Sequence, residues 1–269
     1  MRSISSVLAD WTSHSPDFAC VQLTETRGST PREAGTFMLV GETWQAGTVG
    51  GGTLEWDCLQ YARSLLRSDK DVEFHEFVLG NGTNQCCGGR AKIKITRSDM
   101  PMIETLKQQL CRDEESRKTV LLFGAGHVGR ALAYALAPLP LKLVWVDPRQ
   151  DEFGTVPSGV EVRVTSDWEH ELTLAPQGSG LLVLTPNHSL DALIVAAALE
   201  RNDFAYIGLI GSKTKRRRFE NSFREIGLSE EQIKSFICPI GDRNIRDKRP
   251  EIIAALVAAE IVEKLLHAA

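Results

Sequence analysis

The adjacent thiols of Cys86 and Cys87 have the most distinctive chemistry in this sequence, because Gly88, Gly89 and Arg90 follow them directly. A disulfide between neighbouring cysteines would need a strained peptide geometry. A closed zinc site would need two more soft ligands, and the sequence has no second cysteine pair. Free glycine amides and an arginine cation favour a thiolate, which could contact a transition metal or handle sulfur. Two buried thiols near a bend are the competing interpretation.

A glycine fingerprint, Gly124-x-Gly126-x-x-Gly129, follows an apolar strand and begins a helix. Its three glycines are typical of a tight turn, a close approach of a pyrophosphate and a close helix–strand contact. Asp147 ends the next predicted strand, at the position of an acid that binds ribose. The pattern predicts a Rossmann fold. Its ligand is NAD(P) or another nucleotide in one interpretation, and in the other the domain has lost or exchanged its ligand.

Two histidines lie in the loops of this predicted fold. His127 is inside the glycine turn, and His188 in the segment LTPNHSLD comes just after a predicted strand, where ligands bind in such sheets. Either could transfer a proton in a dehydrogenase. A hydrogen-bonding or solvent-exposed histidine is the more frequent alternative.

Two further loops could bind an anion. The segment TRGSTPREAG carries Arg27 and Arg32, and GTVGGGT contains Gly50, Gly51 and Gly52 between a strand and a helix. Amides at a helix N-terminus can point at an anion, and an arginine can clamp one with two hydrogen bonds. Each loop alone is better explained as a tight turn with surface charge. Together with the fingerprint, they suggest a concave surface that favours anions.

Alternating strands and an amphipathic helix must position these loops in the first part of the chain. Residues Phe18–Thr26, Thr36–Gly41, Val72–Gly80 and Arg90–Arg97 have β-like patterns, and apolar spacing from Leu54 onward predicts a helix. The last two strands flank the cysteines. The cysteine segment is therefore expected to be a loop between paired strands.

The second part of the chain alternates near-continuous apolar strands with helical segments, which indicates a doubly wound parallel sheet. A charged run, residues 113–118, is the best candidate for a linker. The predicted fold class is α/β. An N-terminal mixed α+β domain, residues 1–112, precedes a Rossmann-like domain, residues 119–269.

The composition argues against several classes of protein. The chain has 269 residues and a net charge of −4, so it has no overall basic field that would attract nucleic acid or an anionic membrane. No apolar run reaches the roughly 18 residues of a membrane span, and the N-terminus lacks a signal-peptide core. We expect a cytoplasmic protein whose six cysteines are reduced. The basic run Lys213–Arg218 is interpreted as a solvated helix face, or else as a docking patch for an acidic partner.

Several of these segments together resemble the XdhC/CoxI family. They are ETRGSTPREAGTFMLV, GTVGGGTLEWDCLQYAR, NQCCGGRAKI, VLLFGAGHVGRAL, VDPR, TPNHSLD, YIGLIGSKTKRRRF and CPIG. The resemblance covers nearly the whole chain, and GGGTLEWD and QCCGG are its specific segments. Where relatives show T-H-x-H this chain reads TPNH, so His188 alone of that pair is present.

The resemblance implies a chaperone of molybdenum cofactor (molybdopterin) rather than a catalyst, so no catalytic residue is assigned. The expected partners are a NifS-type cysteine desulfurase, which supplies the terminal sulfido ligand, and the molybdenum subunit of apo-xanthine dehydrogenase, which receives the cofactor. The glycine loops and Arg27 or Arg32 would bind the phosphate. Gln85, Cys86 and Cys87 would line the site, with a cysteine in transient contact with molybdenum.

Two other classes of function remain open. One is an NAD(P)-dependent oxidoreductase, which is weakened because no proton-transfer pair can be identified. The other is a regulatory module that senses a nucleotide. Neither has a use for the QCCGG segment. Exposed edges on the strands beside that segment would allow a homodimer.

Overall fold

The computed structural model describes residues 4–11, 15, 17–79, 88–243, 245 and 247–267. The chain divides into two compact units, Met1–Glu115 and Ser116–Ala269. A helix extends to Glu115 and a strand begins at Lys118, so two residues connect these elements. The predicted linker, residues 113–118, is thus mostly regular structure, because the charged side chains are compatible with an exposed helix end.

The N-terminal unit is an antiparallel sheet with helices on both faces. Its five strands have the order β3-β2-β1-β5-β4. In chain order the elements are α1 Ile4–Asp10, β1 Ala19–Arg27, β2 Phe37–Val40, β3 Gln45–Gly47, α2 Gly52–Leu66, β4 Val72–Val78, β5 Arg90–Arg97 and α3 Met100–Glu115.

Period-two alternation decides which side of this sheet each helix covers. On β5 the apolar residues Ala91, Ile93 and Ile95 are buried against α2, as their spacing predicts. The opposite face of β1 and β2 packs against α1 and α3 through a separate apolar cluster. Strand β4 is the last in the sheet order, and its Phe74 side chain is exposed.

The C-terminal unit is a six-stranded parallel sheet with the order β11-β10-β9-β6-β7-β8. Its strands are β6 Lys118–Phe123, β7 Leu141–Val146, β8 Val160–Arg163, β9 Gly180–Val183, β10 Tyr206–Leu209 and β11 Phe236–Ile237. Its helices are α4 His127–Leu136, α5 Trp168–Leu174, α6 His188–Arg201, α7 Lys213–Glu225, α8 Glu230–Ser235 and α9 Pro250–Ile261, and α9 continues as a π-helical turn, Val262–Leu266.

Helices cover both faces of the parallel sheet. One apolar cluster joins the sheet to α4 and α9, and the other joins it to α5, α6, α7 and α8. Strands buried on both faces are apolar along their whole length, which is the pattern in the sequence. The strand order reverses direction between β6 and β9, and such a point opens a crevice at the carboxyl ends of the strands. The predicted fold class is confirmed.

Within the part of the chain that the structure describes, no helix combines the length and apolar character needed to cross a bilayer.

Candidate functional site

Three loops meet at one end of the N-terminal sheet. A Cβ atom on Gly89 would lie 2.4 Å from the carbonyl oxygen of Ser29, and one on Gly50 would lie 2.5 Å from Cγ of Pro31. The loop after β1 therefore packs directly against both the glycine loop before α2 and the Gly88–Gly89 end of the cysteine segment. Glycine permits both close approaches because it has no side chain.

The glycine loop already holds an anion of its own chain. The carboxylate of Glu55 accepts hydrogen bonds from the backbone N–H groups of Val49 and Gly51, both at 3.2 Å, and from the hydroxyl of Thr48. The Gly50 N–H donates to the Thr48 hydroxyl at 3.1 Å. The N–H groups of Gly50 and Gly51, which the sequence offered to a ligand phosphate, are thus used within the loop.

The hydrogen bonds that Glu55 accepts have, together, a larger effect on the pKa of its carboxyl group than burial does. Burial acts to raise the pKa of Glu55, but the hydrogen bonds from Thr48, Gly51, Gln45 and Val49 outweigh it and hold that pKa below its usual value. The loop is therefore arranged around a carboxylate. This arrangement fixes its conformation before any ligand arrives.

The two arginines of the loop after β1 differ in their surroundings. Arg27 forms an ion pair with Glu25 at 2.6 Å, and Glu25 also binds Lys92 at 2.7 Å. Arg32 is exposed, and its Cγ atom lies 3.7 Å from a Cβ placed on Gly50. Arg32 is therefore the arginine beside the glycine loop, whereas Arg27 belongs to a charged patch on the sheet.

The thiols predicted to line the site cannot be placed, because Gln85, Cys86 and Cys87 lie outside the described residues. Of the other cysteines, Cys20, Cys58 and Cys238 are buried, whereas Cys111 is exposed on α3. Burial raises the pKa of the Cys20 and Cys58 thiols to about 12 and that of Cys238 to about 11. These three buried thiols are therefore protonated and unreactive near neutral pH.

The glycine fingerprint of the C-terminal unit forms the expected strand–turn–helix. Gly124 has φ of +114°, and a Cβ on it would lie 2.4 Å from the Leu184 carbonyl oxygen. A Cβ on Gly129 would lie 2.0 Å from the Gly124 carbonyl oxygen. Both glycines are thus required by the turn and its packing.

Gly126 is different, because the protein itself does not require a glycine there. Its φ is −67°, which any residue adopts, and a Cβ on it would meet no heavy atom of the described chain within 4 Å. The open space lies at the N-terminus of α4, where a pyrophosphate approaches the backbone in dinucleotide-binding folds.

Asp147 follows β7 as predicted, but its carboxylate is engaged by the protein. Oδ2 accepts hydrogen bonds from the Ala125 N–H at 2.7 Å and from Nη2 of Arg149 at 2.8 Å. Oδ1 accepts from the backbone N–H and Nε of Arg149, both at 2.9 Å. Burial acts to raise the pKa of Asp147, and these hydrogen bonds outweigh it and lower the pKa.

The two candidate histidines begin helices on opposite faces of the parallel sheet. His127 begins α4 and lines an open groove between α4 and α9, together with Tyr134 and Ala254. His188 begins α6 and is 76% exposed, with Nδ1 3.8 Å from Oδ2 of Asp191. The structure therefore does not pair them.

A buried ion pair that the sequence reasoning missed links α6 to α7. The fully buried Asp191 accepts hydrogen bonds from the N–H and hydroxyl of Thr185 and from Nζ of Lys215 at 2.8 Å. The Lys215 side chain is only 14% exposed, although the basic run was predicted to be solvated; Lys213, Arg217 and Arg218 in that run are exposed. The sequence feature that could have indicated this ion pair is the acid Asp191 in the first turn of α6.

The described residues contain no group of three or more His, Cys, Asp or Glu side chains that could hold a metal ion. Sequence reasoning also missed Glu55 and Arg149, which occupy positions assigned to a ligand. The signal for Glu55 is an acid in the first turn of the helix after a glycine loop. The signal for Arg149 is the arginine two residues after the strand-ending aspartate.

Two family models match this sequence. One describes the XdhC Rossmann domain and matches residues 120–261. The other describes the XdhC and CoxI family and matches residues 11–77. The first match covers more than half of the chain and coincides with the parallel-sheet unit.

A curated protein and a solved structure are also similar to this chain. The uncharacterized protein YqeB of Escherichia coli K12 is 29% identical over 254 residues, which cover 91% of this chain and 43% of YqeB. The chain therefore spans less than half the length of that relative. A crystal structure from Bacillus halodurans, described as a xanthine dehydrogenase, has a TM-score of 0.79 at 18% identity and covers 98% of this chain and 96% of its own. At this identity the likeness concerns the fold.

Proposed function

The chain belongs to the XdhC family, and from this premise we propose that it is an accessory protein that binds molybdenum cofactor for a xanthine dehydrogenase. It holds the cofactor while a NifS-type cysteine desulfurase adds the terminal sulfido ligand. It then delivers the cofactor to the molybdenum subunit of the apo-enzyme. The supporting observation is the meeting of three loops at one end of the N-terminal sheet.

The chemistry of that loop cluster fits such a cargo. The cofactor combines a phosphate with a dithiolene that carries molybdenum, so it needs a cation and soft or polar contacts within a short distance. Arg32 supplies the cation beside Gly50, and Gly88 directly follows Cys86 and Cys87 in the chain. A Cβ on Gly51 or Gly88 would meet no atom of the described residues within 4 Å.

We propose the following roles for the residues of this site. Arg32 binds the phosphate with two parallel hydrogen bonds, and Cys86 or Cys87 contacts molybdenum, with Gln85 beside them. Glu55 keeps the glycine loop in a fixed conformation, and we assign the approach of the phosphate to Gly51 and Gly52 at the start of α2. None of these groups performs a catalytic step, because the protein retains and transfers the cofactor without converting it.

Cofactor retention tests this function. The variants Arg32→Ala and Cys86→Ser/Cys87→Ser are incubated with molybdenum cofactor, desalted, and assayed for bound molybdenum and pterin. We expect each to retain about tenfold less than the unchanged protein, which corresponds to about 1.4 kcal/mol of binding free energy.

Arg67→Ala is the matched control, since Arg67 is an exposed arginine in an ion pair at the opposite end of α2. It should retain the cofactor normally. Unchanged retention in both test variants, with unchanged sulfuration by the desulfurase, would exclude the assigned site.

We also propose that the C-terminal unit binds a nucleotide, and the open space at Gly126 supports this second candidate function. NAD(P) or a related nucleotide would place its pyrophosphate at the N-terminus of α4. An oxidoreductase or a nucleotide sensor would both use this crevice. Hydride transfer from a bound nicotinamide would identify the former.

The remaining partner and location assignments stay predictions. A homodimer would use the exposed edge of β4, where Phe74 is accessible. We expect the protein to meet both enzyme partners in the cytoplasm, and we expect no nucleic acid or membrane partner.

A further inference from the structure

The carboxyl end of β7 presents a cation where a dinucleotide-binding fold usually presents an acid. In such folds an aspartate here binds the ribose hydroxyls of NAD, whereas a nearby arginine accommodates the 2′-phosphate of NADP. Asp147 is in the first position, but its side chain is 2% exposed. Arg149 lies over it, and 42% of the arginine side chain is exposed.

Asp147 has no acceptor capacity left for a ribose. A carboxylate offers about four lone-pair positions. Four donors from Ala125 and Arg149 occupy them, at 2.7 to 2.9 Å. A ribose hydroxyl could bind this carboxylate only if the Arg149 side chain moved away.

Arg149 retains donors that can bind an anion. Its Nε and Nη2 atoms bind Asp147, and its Nη1 atom has a long contact of 3.5 Å to Oε1 of Glu152. Glu152 is itself bound through Oε2 by Nη1 of Arg130 at 3.1 Å. The Nη1 group of Arg149 could thus exchange a weak contact for a phosphate oxygen without losing the contacts that orient the guanidinium.

We propose that the crevice of the C-terminal unit selects a nucleotide that carries a phosphate on the 2′-oxygen of its adenosine ribose, and that Arg149 is the residue that selects it. The inference rests on the nucleotide site proposed above. The geometry of Asp147 and Arg149 disfavours the 2′-hydroxyl form and favours the 2′-phosphate form.

Isothermal titration calorimetry of the full chain with two matched pairs, NADP⁺ against NAD⁺ and 2′,5′-ADP against 5′-AMP, tests this selection. We expect the 2′-phosphorylated member of each pair to bind at least about tenfold more tightly, which is about 1.4 kcal/mol. Inorganic phosphate serves as a probe for simple anion attraction and should bind far more weakly than 2′,5′-ADP.

Arg149→Ala should abolish the preference and should tighten NAD⁺ binding, because Asp147 becomes free to accept from a ribose hydroxyl. Arg149→Lys keeps the charge but not the paired donors, and should retain part of the preference. Arg224→Ala is the matched control, since the Arg224 side chain is about as exposed as that of Arg149, at 43%, and its guanidinium forms an ion pair with Glu230. Circular dichroism of each variant checks that the unit is folded.

Each contrary result has a distinct meaning. Equal or tighter binding of NAD⁺ by the unchanged protein would overturn the selection, as would a full preference in a folded Arg149→Ala variant. Phosphate binding as tight as that of 2′,5′-ADP would also overturn it. Failure of every nucleotide to bind would remove the nucleotide site itself, while cofactor retention by the N-terminal unit would be unaffected.

Discussion

Two loops of this protein are each held in place by one carboxylate of the chain itself. Glu55 fills the glycine loop before α2, and Asp147 holds the glycine turn before α4 through the Ala125 N–H. In both places the chain supplies an anion where the sequence suggested a ligand. A buried N–H that lacks a partner costs about 1–3 kcal/mol, so an internal acceptor stabilises a loop before any ligand binds.

Replacing Glu55 with glutamine should lower the stability of the N-terminal unit at neutral pH by about 1–2 kcal/mol, because hydrogen bonds to a charged acceptor are lost. The pKa of Glu55 is lowered in the folded protein. Its contribution is therefore complete above the pKa of the unfolded chain and disappears as the pH falls through the lower folded pKa.

Urea unfolding at a series of pH values between 3 and 8 measures this difference. Glu104→Gln removes the same charge from an exposed position on α3 and is the control. The free energies of unfolding of Glu55→Gln and the unchanged protein should converge at the acidic end of the series. A constant difference down to pH 3 would contradict the role assigned to the carboxylate.

At the level of elements, the strand–turn–helix from β6 to α4 contains glycines in two different surroundings. Gly129 touches the backbone of the turn, whereas Gly126 faces open space. Glycines of one motif thus lie in two different surroundings, one closely packed and one open. The difference cannot be read from the spacing of the glycines alone.

Replacing each glycine with alanine should affect stability at one position and nucleotide binding at the other. Gly129→Ala places a Cβ against the Gly124 carbonyl oxygen and should destabilise the unit by about 1–3 kcal/mol or more. Gly126→Ala should cost under about 1 kcal/mol, as expected at an N-cap, but should weaken nucleotide binding at least about tenfold. Thermal unfolding measures the change in stability, and calorimetric titration measures the change in nucleotide affinity.

Two results would contradict these assignments. Normal nucleotide affinity in Gly126→Ala would mean that the open space at the start of α4 does not receive the pyrophosphate. Unchanged stability in Gly129→Ala would mean that the turn relaxes without cost.

At the scale of the whole molecule, each unit has its own apolar clusters. Two clusters belong to the N-terminal unit and two to the C-terminal unit. Domains with separate cores can fold separately. The matched families divide similarly, with one model in each unit.

A fragment of residues 116–269 should therefore fold on its own, retain nucleotide binding and lack cofactor retention. Circular dichroism and calorimetric titration of the fragment measure the first two properties. The full chain is the reference for both. A fragment without a cooperative thermal transition would show that this unit depends on the rest of the chain, and would contradict the predicted domain division.

Much of this architecture is determined by the sequence. Period-two alternation places Ala91, Ile93 and Ile95 on the buried face of β5, and continuous apolar strands indicate the parallel sheet. The glycine fingerprint locates the turn before α4. These features depend on backbone geometry and on residues that are close together in the chain, so the order of residue types is enough to predict them.

Only the tertiary structure decided which polar groups are still available to a ligand. Glu55 engages amides of the glycine loop, Arg149 covers Asp147, and Lys215 turns inward to Asp191. Each of these outcomes depends on where a long side chain finds a partner in three dimensions. The physical reason is that burial and hydrogen-bond satisfaction are properties of the assembled surroundings, whereas the sequence specifies only the groups that compete for them.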